Sequence, residues 1–304
     1  MKRFNKEELH QNFLAIKNPS MIKRSLDFLG AGESSCCIQC FDRPCLFFNQ
    51  TGVTESLPIS VCPTDALKPK LDGGVTVGDG CISCGLCVVL CPVGAIAINN
   101  DEVAAVLETQ PDLVESTSSE KSFLELRNEV KQYAKLSDNQ IEVAAKKLAE
   151  KSVVLTQKAF YGLTSSLFQC LGVQTFLPPA GDTNNRIDLI LTDTHRSLAV
   201  EIKSATETRS INVKSIQQAL ENKIVLDQRR FFESRSSDSS LVVGYSYSPD
   251  RSGVEELIGD ISNTFGIRIG VISIEDLYRL ALRINLNGEI FDRNILTELF
   301  GRLV

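Results

Sequence analysis

The chain has 304 residues, more than one ordinary hydrophobic core needs, so two domains are expected. Hydrophobic residues make up 43% and charged residues 23%, which excludes wholesale disorder, and the net charge of −6 argues against indiscriminate nucleic-acid binding. The sequence shows neither a run of about 18 apolar residues nor a signal-peptide pattern. We therefore expect a cytoplasmic protein without membrane association.

The first part of the chain is dominated by cysteine. Two short helical patterns occupy residues 1–35, and a segment rich in Cys, Pro and Gly follows over residues 36–106. Nine of the ten cysteines lie between Cys36 and Cys91, whereas Cys170 lies among apolar residues and is predicted to be a buried small hydrophobe. Clustered cysteines in a cytoplasmic protein indicate bound metal rather than disulfides.

The spacing of these cysteines repeats approximately. Residues 81–92 read CISCGLCVVLCP, a Cys-x2-Cys-x2-Cys-x3-Cys-Pro run in which three thiolates wrap one cluster and the fourth serves another. An upstream set has a longer third gap and an insertion before its Cys-Pro. It consists of Cys37, Cys40, Cys45 and Cys62. Zinc, which also binds Cys-x2-Cys pairs, is the alternative, although four cysteines within eleven residues are very compressed for zinc.

Residues 36–99 resemble the dicluster bacterial-type ferredoxins. The resemblance implies a ferredoxin-like fold and two [4Fe-4S] clusters. One cluster would be bound by Cys37, Cys40, Cys45 and Cys91, and the other by Cys81, Cys84, Cys87 and Cys62. Because the upstream half departs from the family pattern, Cys36 remains an alternative to Cys37. The role of the clusters stays open among electron transfer, redox sensing and structural support, and so do their potentials.

The remainder of the chain predicts a linker and then an α/β domain. We assign residues 107–152 to a polar linker and two helices, the second of which begins with a capping box at Ser137 and Gln140. From residue 153 to 304, strands and helices alternate in the manner of a domain with a mixed central sheet. The predicted fold class is therefore α+β multidomain.

An acidic motif lies on two neighbouring predicted strands of that domain. Asp188 stands near the start of one strand, and Glu201 and Lys203 stand at the end of the next. If the strands form a hairpin, these three side chains converge, since alternate residues of a strand share a face. The carbonyl of Ile202 would lie beside them, and two carboxylates with a carbonyl suit Mg²⁺ or Mn²⁺.

Residues 153–304 thus resemble the PD-(D/E)xK nucleases, which have a restriction-endonuclease-like fold. The resemblance implies that Asp188 and Glu201 bind the metal, and that Lys203 positions or activates water or stabilises the phosphate. It also implies that the helix after the motif contacts DNA. The candidate contacts are Arg209, Lys214, Gln217 and Gln218. The preceding helix has no acidic residue, which puts binding of a second metal ion in doubt.

The preferred interpretation is a metal-dependent endonuclease acting on DNA, with the dicluster module serving regulation, electron transfer or structure, in a restriction or anti-phage system. Its partners would be DNA, a redox protein or other defence subunits, and a second copy of the chain. The alternative is an electron-transfer ferredoxin with an inactive docking domain, in which the acidic motif is a hairpin with solvated charges. The sequence does not specify the DNA recognised, whether RNA is a substrate, the oligomeric state or the partner proteins.

Overall fold

A computed structural model describes nine segments of the chain. They are residues 43–48, 59–71, 75–91, 95–99, 102–104, 136–178, 187–192, 196–229 and 235–303. The helices predicted over residues 1–35 and from about residue 120 to 136 lie outside these segments, except for Leu136 itself. The chain divides into two compact units, Met1–Ala144 with Leu282–Glu289, and Ala145–Ala281 with Ile290–Val304. None of the described helices is both long and apolar enough to span a membrane.

The described part of the first unit is built from three small antiparallel hairpins and one short helix. Its elements are β1 (Phe47–Phe48), β2 (Ile59–Ser60), β3 (Leu67–Pro69), β4 (Val75–Val77), α1 (Leu86–Leu90), β5 (Ala97–Asn99) and β6 (Glu102–Ala104). The strands pair β1 with β2, β3 with β4, and β5 with β6. Two or three residues per strand bury little apolar surface, as expected where metal ligands replace much of a hydrophobic core.

A segment from late in the chain belongs to this first unit. It is a π-helix, Arg283–Asn287, that ends at Gly288 with φ 71°. The Asn287 amide accepts a hydrogen bond from the Leu136 backbone N–H at 2.9 Å and donates one to the Leu136 carbonyl at 3.0 Å. The sequence analysis did not predict this element, because a single-turn change of helical pitch leaves no mark in apolar periodicity.

The second unit is a six-stranded mixed sheet with helices between its strands. The elements are α2 (Asp138–Ser152), which starts in the first unit, α3 (Gln157–Cys170), β7 (Gln174–Phe176), β8 (Leu189–Thr192), β9 (Arg196–Lys203), α4 (Val213–Arg229), β10 (Arg235–Gly244), α5 (Val254–Phe265), β11 (Arg268–Ser273), α6 (Ile274–Leu282), α7 (Asn294–Glu298) and β12 (Gly301–Arg302). The strand order is β12-β11-β10-β9-β8-β7. The mixed α/β sheet expected from the sequence is confirmed.

Strand direction changes in the middle of this sheet. β7, β8 and β9 are antiparallel neighbours, whereas β9, β10, β11 and β12 run parallel. Helices α4 and α5 connect the parallel strands, so the central strands are covered and read as apolar runs. In β9 all residues from Ser197 to Ile202 are buried. The carboxyl ends of β9, β10 and β11 therefore meet at one edge of the sheet.

Capping residues set the helix ends that the sequence predicted. The Ser137 N–H donates to Gln140 Oε1 at 2.9 Å and the Gln140 N–H donates to Ser137 Oγ at 3.4 Å, which is the predicted capping box. Thr156 Oγ1 accepts from the Ala159 N–H and begins α3. Cys170 at the end of α3 is buried, as predicted. The short α7 and β12 were not predicted, because five and two residues carry too little periodicity.

Gly244, the last residue of β10, pairs with Lys203 at the end of β9. A Cβ atom at this position would overlap Cγ1 of Ile211 and lie 2.9 Å from Cδ1. Ile211 is itself buried, and its N–H donates to the Ser246 carbonyl at 3.0 Å. The close approach of Ile211 thus fixes the loop that follows β9 against the end of β10.

We predict that Gly244→Ala destabilises the protein by about 1–3 kcal/mol, because a methyl group there overpacks the core. The free energy of unfolding should be measured by denaturant titration of the variant and the wild type. Gly259→Ala is the control, since a Cβ at Gly259 meets nothing within 4 Å. Equal stability of Gly244→Ala and the wild type would contradict this packing argument.

Candidate functional site

The loop from Cys81 to Cys87 gathers three cysteines of the first unit. Ser83 has φ 52° and Gly85 has φ 73°, and these two left-handed residues turn the chain tightly. Helix α1 starts directly after Gly85, so Cys87 lies in its first turn. Cys84 is buried, whereas Cys81 and Cys87 are partly exposed.

Cys62, nineteen residues before this loop, joins the same group of thiols. Burial, and then the nearby sulfurs of Cys62 and Cys81, raise the pKa of Cys84 to about 12, against the opposing hydrogen bond from the Leu86 backbone. The pKa of Cys87 is raised by burial and then by Cys84, Cys81 and Cys62. With their pKa raised in this way, Cys84 and Cys87 become thiolates most readily when positive charge is bound beside them. The four thiols fit a thiolate-bound cluster by their number and their environment.

Backbone groups are directed at the sulfurs. The Ala66 N–H donates to Cys62 Sγ at 3.2 Å, and the Ala95 N–H donates to Cys91 Sγ at 3.1 Å. The two Cys-Pro tails therefore adopt the same local hydrogen bond, four residues beyond each cysteine. N–H donors to sulfur are among the groups that tune iron–sulfur clusters.

The other predicted ligand set is only partly described. Cys45 lies just before β1 and is partly buried, and Cys91 is buried after α1. Cys37 and Cys40, with the alternative Cys36, lie outside the described residues. The sulfurs of Cys62, Cys81 and Cys84 lie near Cys87, and so does that of Cys91, so the division of the cysteines between two clusters stays a prediction.

In the second unit, the pairing of β8 with β9 assembles the acidic motif. Leu189 pairs with Val200, so Asp188, which precedes β8, lies opposite Glu201. Asp188 Oδ2 accepts a hydrogen bond from the Ile202 N–H at 2.8 Å. Among the residues that the structure describes, no three His, Cys, Asp or Glu side chains are arranged around one ion. A cation here would thus bind Asp188, Glu201 and a main-chain carbonyl.

Glu201 is buried, and each of its oxygens has a donor. Lys203 Nζ lies 2.7 Å from Oε1, and the Asn222 amide donates to Oε2 at 2.7 Å. Asn222 lies on α4 and is itself buried. These two donors offset the desolvation of the Glu201 carboxylate. Burial would lower the pKa of Lys203, but Glu201, Glu207 and Asp188 outweigh that effect and raise it.

Helix α3 supplies two further residues. Tyr161 Oη donates to the Ile202 carbonyl at 3.1 Å and accepts from Gln157 Nε2 at 2.9 Å. Gln157 Nε2 also donates to Glu207 Oε1 at 3.0 Å, and Glu207 Oε2 accepts from the Ser204 N–H at 3.0 Å. A hydrogen-bonded path therefore runs from the loop after β9 to Tyr161 and on to Ile202.

Sequence reasoning missed four of these residues, namely Gln157, Tyr161, Glu207 and Asn222. A search of α3 for an acidic residue overlooks Tyr161 because its hydroxyl acts as a donor. Asn222 could have been suspected, since it lies one helical turn beyond Gln218 on the same face of α4.

The candidate DNA contacts lie on the loop after β9 and on α4. Arg209 is exposed in the loop, and its carbonyl accepts from Ser246 Oγ at 2.6 Å. Lys214 and Gln217 are exposed on α4, and Gln218 is partly buried. The first three are accessible to a large ligand, whereas Gln218 is directed partly into the protein.

The two carboxylates repel each other in a desolvated setting. Burial and then the charge of Glu201 raise the pKa of Asp188 to about 7, against the opposing hydrogen bond from Ile202. Burial also raises the pKa of Glu201, against the opposing hydrogen bond from Lys203. The site therefore carries excess negative charge that a divalent cation would neutralise.

Comparison with known proteins identifies the first unit's motif. Residues 77–97 match the model of the 4Fe-4S binding domain. An uncharacterized ferredoxin of Methanocaldococcus jannaschii is 34% identical over 64 residues, which are 21% of this chain and 34% of that protein. An iron–sulfur protein of Rhodospirillum rubrum is 38% identical over 68 residues, which are 22% of this chain and 28% of that protein. The chain thus contains a ferredoxin-type 4Fe-4S binding domain and spans only about a third of these relatives.

One solved structure also aligns. It is restriction endonuclease FokI bound to DNA, with 12% identity and a TM-score of 0.39, covering 67% of this chain and 37% of that one. A TM-score this low does not establish a shared fold. The function of the second unit is therefore argued from its own geometry.

We predict that Asp188→Asn makes the free energy of unfolding less dependent on pH near neutrality, because the variant has no carboxyl to ionise at this buried position. The pKa of the Asp188 carboxyl is about 7 in the folded state, against about 3.9 in an unfolded chain. Its contribution to stability is therefore present at low pH and is lost as pH rises through 7. Relative to the wild type, the variant should gain about 1–2 kcal/mol between pH 6 and 8, or about 2–4 °C in thermal midpoint.

The midpoints should be compared in metal-free, anaerobic buffer. Asp260→Asn, which replaces an exposed carboxylate on α5, is the matched control. If the thermal midpoints of Asp188→Asn and the wild type differ by the same amount at every pH in this range, the pKa of Asp188 is not raised in the folded protein and the prediction is wrong.

Proposed function

We propose that the chain is a metal-dependent nuclease acting on DNA, with a dicluster [4Fe-4S] module in its first unit. The observation that carries the nuclease proposal is the pairing of Asp188 with Glu201 across β8 and β9, next to Lys203. Two desolvated carboxylates and one lysine at the end of a strand form a site for a divalent cation and a phosphate.

Mg²⁺ or Mn²⁺ would be held by Asp188, Glu201 and the Ile202 carbonyl. When bound, the cation supplies Lewis acidity to the phosphodiester and lowers the pKa of a water molecule. The donor set fits such an ion because all three ligands are oxygens, and carboxylate and carbonyl oxygens are what hard cations prefer. The geometry provides one cation site, since the remaining groups around it are the donors of Lys203, Asn222 and Tyr161.

Lys203 acts as a fixed positive charge in this proposal. The surrounding carboxylates raise its pKa, so the ammonium group keeps its proton at neutral pH. A protonated lysine cannot abstract a proton from water, but it can stabilise the charge that develops on the phosphate. We therefore favour phosphate stabilisation over activation of water.

DNA would approach over the loop after β9 and the exposed side of α4. Arg209 and Lys214 supply positive charge there, and Gln217 supplies a polar side chain for the backbone. Residues 153–304 would form the nuclease domain, after the cluster module at 36–106. A role in restriction or anti-phage defence, with a homodimer for double-strand cutting, extends the same proposal.

The clusters are proposed to follow the ferredoxin pattern. Cys62, Cys81, Cys84 and Cys87 would bind one [4Fe-4S] cluster. The second would take Cys37, Cys40, Cys45 and Cys91. The compressed spacing of four cysteines within eleven residues favours a cluster over zinc at the first group.

A second candidate function is electron transfer with an inactive second unit. It is favoured by the matched family and relatives, since each of them is an iron–sulfur protein or domain. Under that candidate the carboxylates of the second unit would be structural. The two functions differ in whether DNA cleavage depends on Asp188.

We predict that the anaerobically purified protein cleaves DNA with Mg²⁺, and that Lys203→Ala lowers the rate by on the order of 100-fold or more, since it removes a charge that stabilises the transition state. Asp188→Asn should abolish cleavage, because the cation loses a ligand. Plasmid, linear and single-stranded DNA should be assayed by gel. Lys146→Ala, an exposed lysine of α2, is the control. Cleavage retained in both site variants would refute the site, and its absence in the wild type would favour electron transfer.

We predict about eight irons per wild-type chain and about four after Cys84→Ala, since each cubane holds four irons. Iron and acid-labile sulfide should be assayed on anaerobic preparations. Cys170→Ala removes a cysteine outside both ligand sets and should leave the iron content unchanged. A wild-type content of about four irons per chain would show that the module holds one cluster rather than two.

A further inference from the structure

Tyr161 contacts one of the oxygen ligands proposed for the cation. Its hydroxyl donates to the Ile202 carbonyl at 3.1 Å. Ile202 is held on its other side as well, since its N–H donates to Asp188 Oδ2 at 2.8 Å. The carboxylate, the carbonyl and the phenol therefore form one connected group.

Gln157, on the same helix, fixes the direction of the Tyr161 hydroxyl proton. Gln157 Nε2 carries two protons, one of which is donated to Tyr161 Oη at 2.9 Å and the other to Glu207 Oε1 at 3.0 Å. Because Tyr161 accepts from Gln157, its own proton points away from Gln157, towards the Ile202 carbonyl. Glu207 cannot move easily, since its second oxygen accepts from both the N–H and Oγ of Ser204.

We propose that Tyr161 is a positioning residue of the cation site, whose hydroxyl orients the Ile202 carbonyl beside the Asp188 carboxylate so that one divalent cation can bind both. This inference rests on the proposed function. A carbonyl oxygen has two lone pairs, so the Ile202 oxygen can ligate a cation while it accepts from Tyr161. Groups that hold metal ligands in place typically change metal affinity by about 10–100-fold when removed.

The test is the affinity of the full, cluster-loaded protein for Mn²⁺, measured anaerobically by isothermal titration calorimetry. Tyr161→Phe removes only the hydroxyl and should weaken the dissociation constant by about 10–100-fold. Gln157→Leu should weaken it in the same direction, because the hydroxyl is no longer oriented. Tyr245→Phe, which changes a partly buried tyrosine after β10, is the matched control and should bind as the wild type does.

A thermal melt of each variant separates positioning from folding, since a merely structural role would lower the midpoint without a specific loss of Mn²⁺ affinity. Asp188→Asn removes a proposed ligand, so its Mn²⁺ affinity is the reference for a protein that lacks the site. If the wild type and Tyr161→Phe bind equally while Asp188→Asn does not bind, the inference is wrong and the proposed site stands. If the wild type binds no more Mn²⁺ than Asp188→Asn, the proposed function fails together with the inference. An equal loss in Tyr245→Phe would also overturn the role of Tyr161.

Discussion

The antiparallel pairing of β8 with β9 sets two carboxylates against each other, and the surrounding residues compensate for that repulsion. Leu189 opposite Val200 fixes Asp188 opposite Glu201, and a slip of one residue would turn Glu201 and Lys203 to the other face. The register is well determined because both strands are buried over most of their length. The apolar core of the sheet thus decides where the charges meet.

The compensation comes from three different elements. Lys203 on β9 supplies the charge, Asn222 on α4 supplies an amide, and Tyr161 on α3 supplies a hydroxyl. Each donor sits on an element that packs on the sheet, so the charged group is held by the same contacts that build the core. Removal of one partner from such a buried pair costs more than the pair contributes, since it leaves a desolvated charge behind.

The sequence predicted the element order of the second unit well because its strands are apolar runs and its helices have caps. Asp188, Glu201 and Lys203 could be proposed for the same reason, since a hairpin of two adjacent strands is the simplest connection. Tyr161 and Asn222 could not, because their place depends on how α3 and α4 pack on the sheet, which no local pattern encodes. Strand β10 has a register irregularity between Ser236 and Ser240, ahead of its apolar part, which no local pattern encodes either.

The two sites differ more in the chemistry of their metal-binding atoms than in their charge. Both gather groups that repel one another when ionised, thiols around Cys84 in one unit and carboxylates around Asp188 in the other. Soft thiolates favour iron–sulfur clusters, whereas carboxylates and carbonyls favour Mg²⁺ or Mn²⁺. The thiols are held by a short loop with two left-handed residues, which places ligands close together in sequence. The carboxylates are held by a sheet, which brings together residues that lie farther apart in sequence.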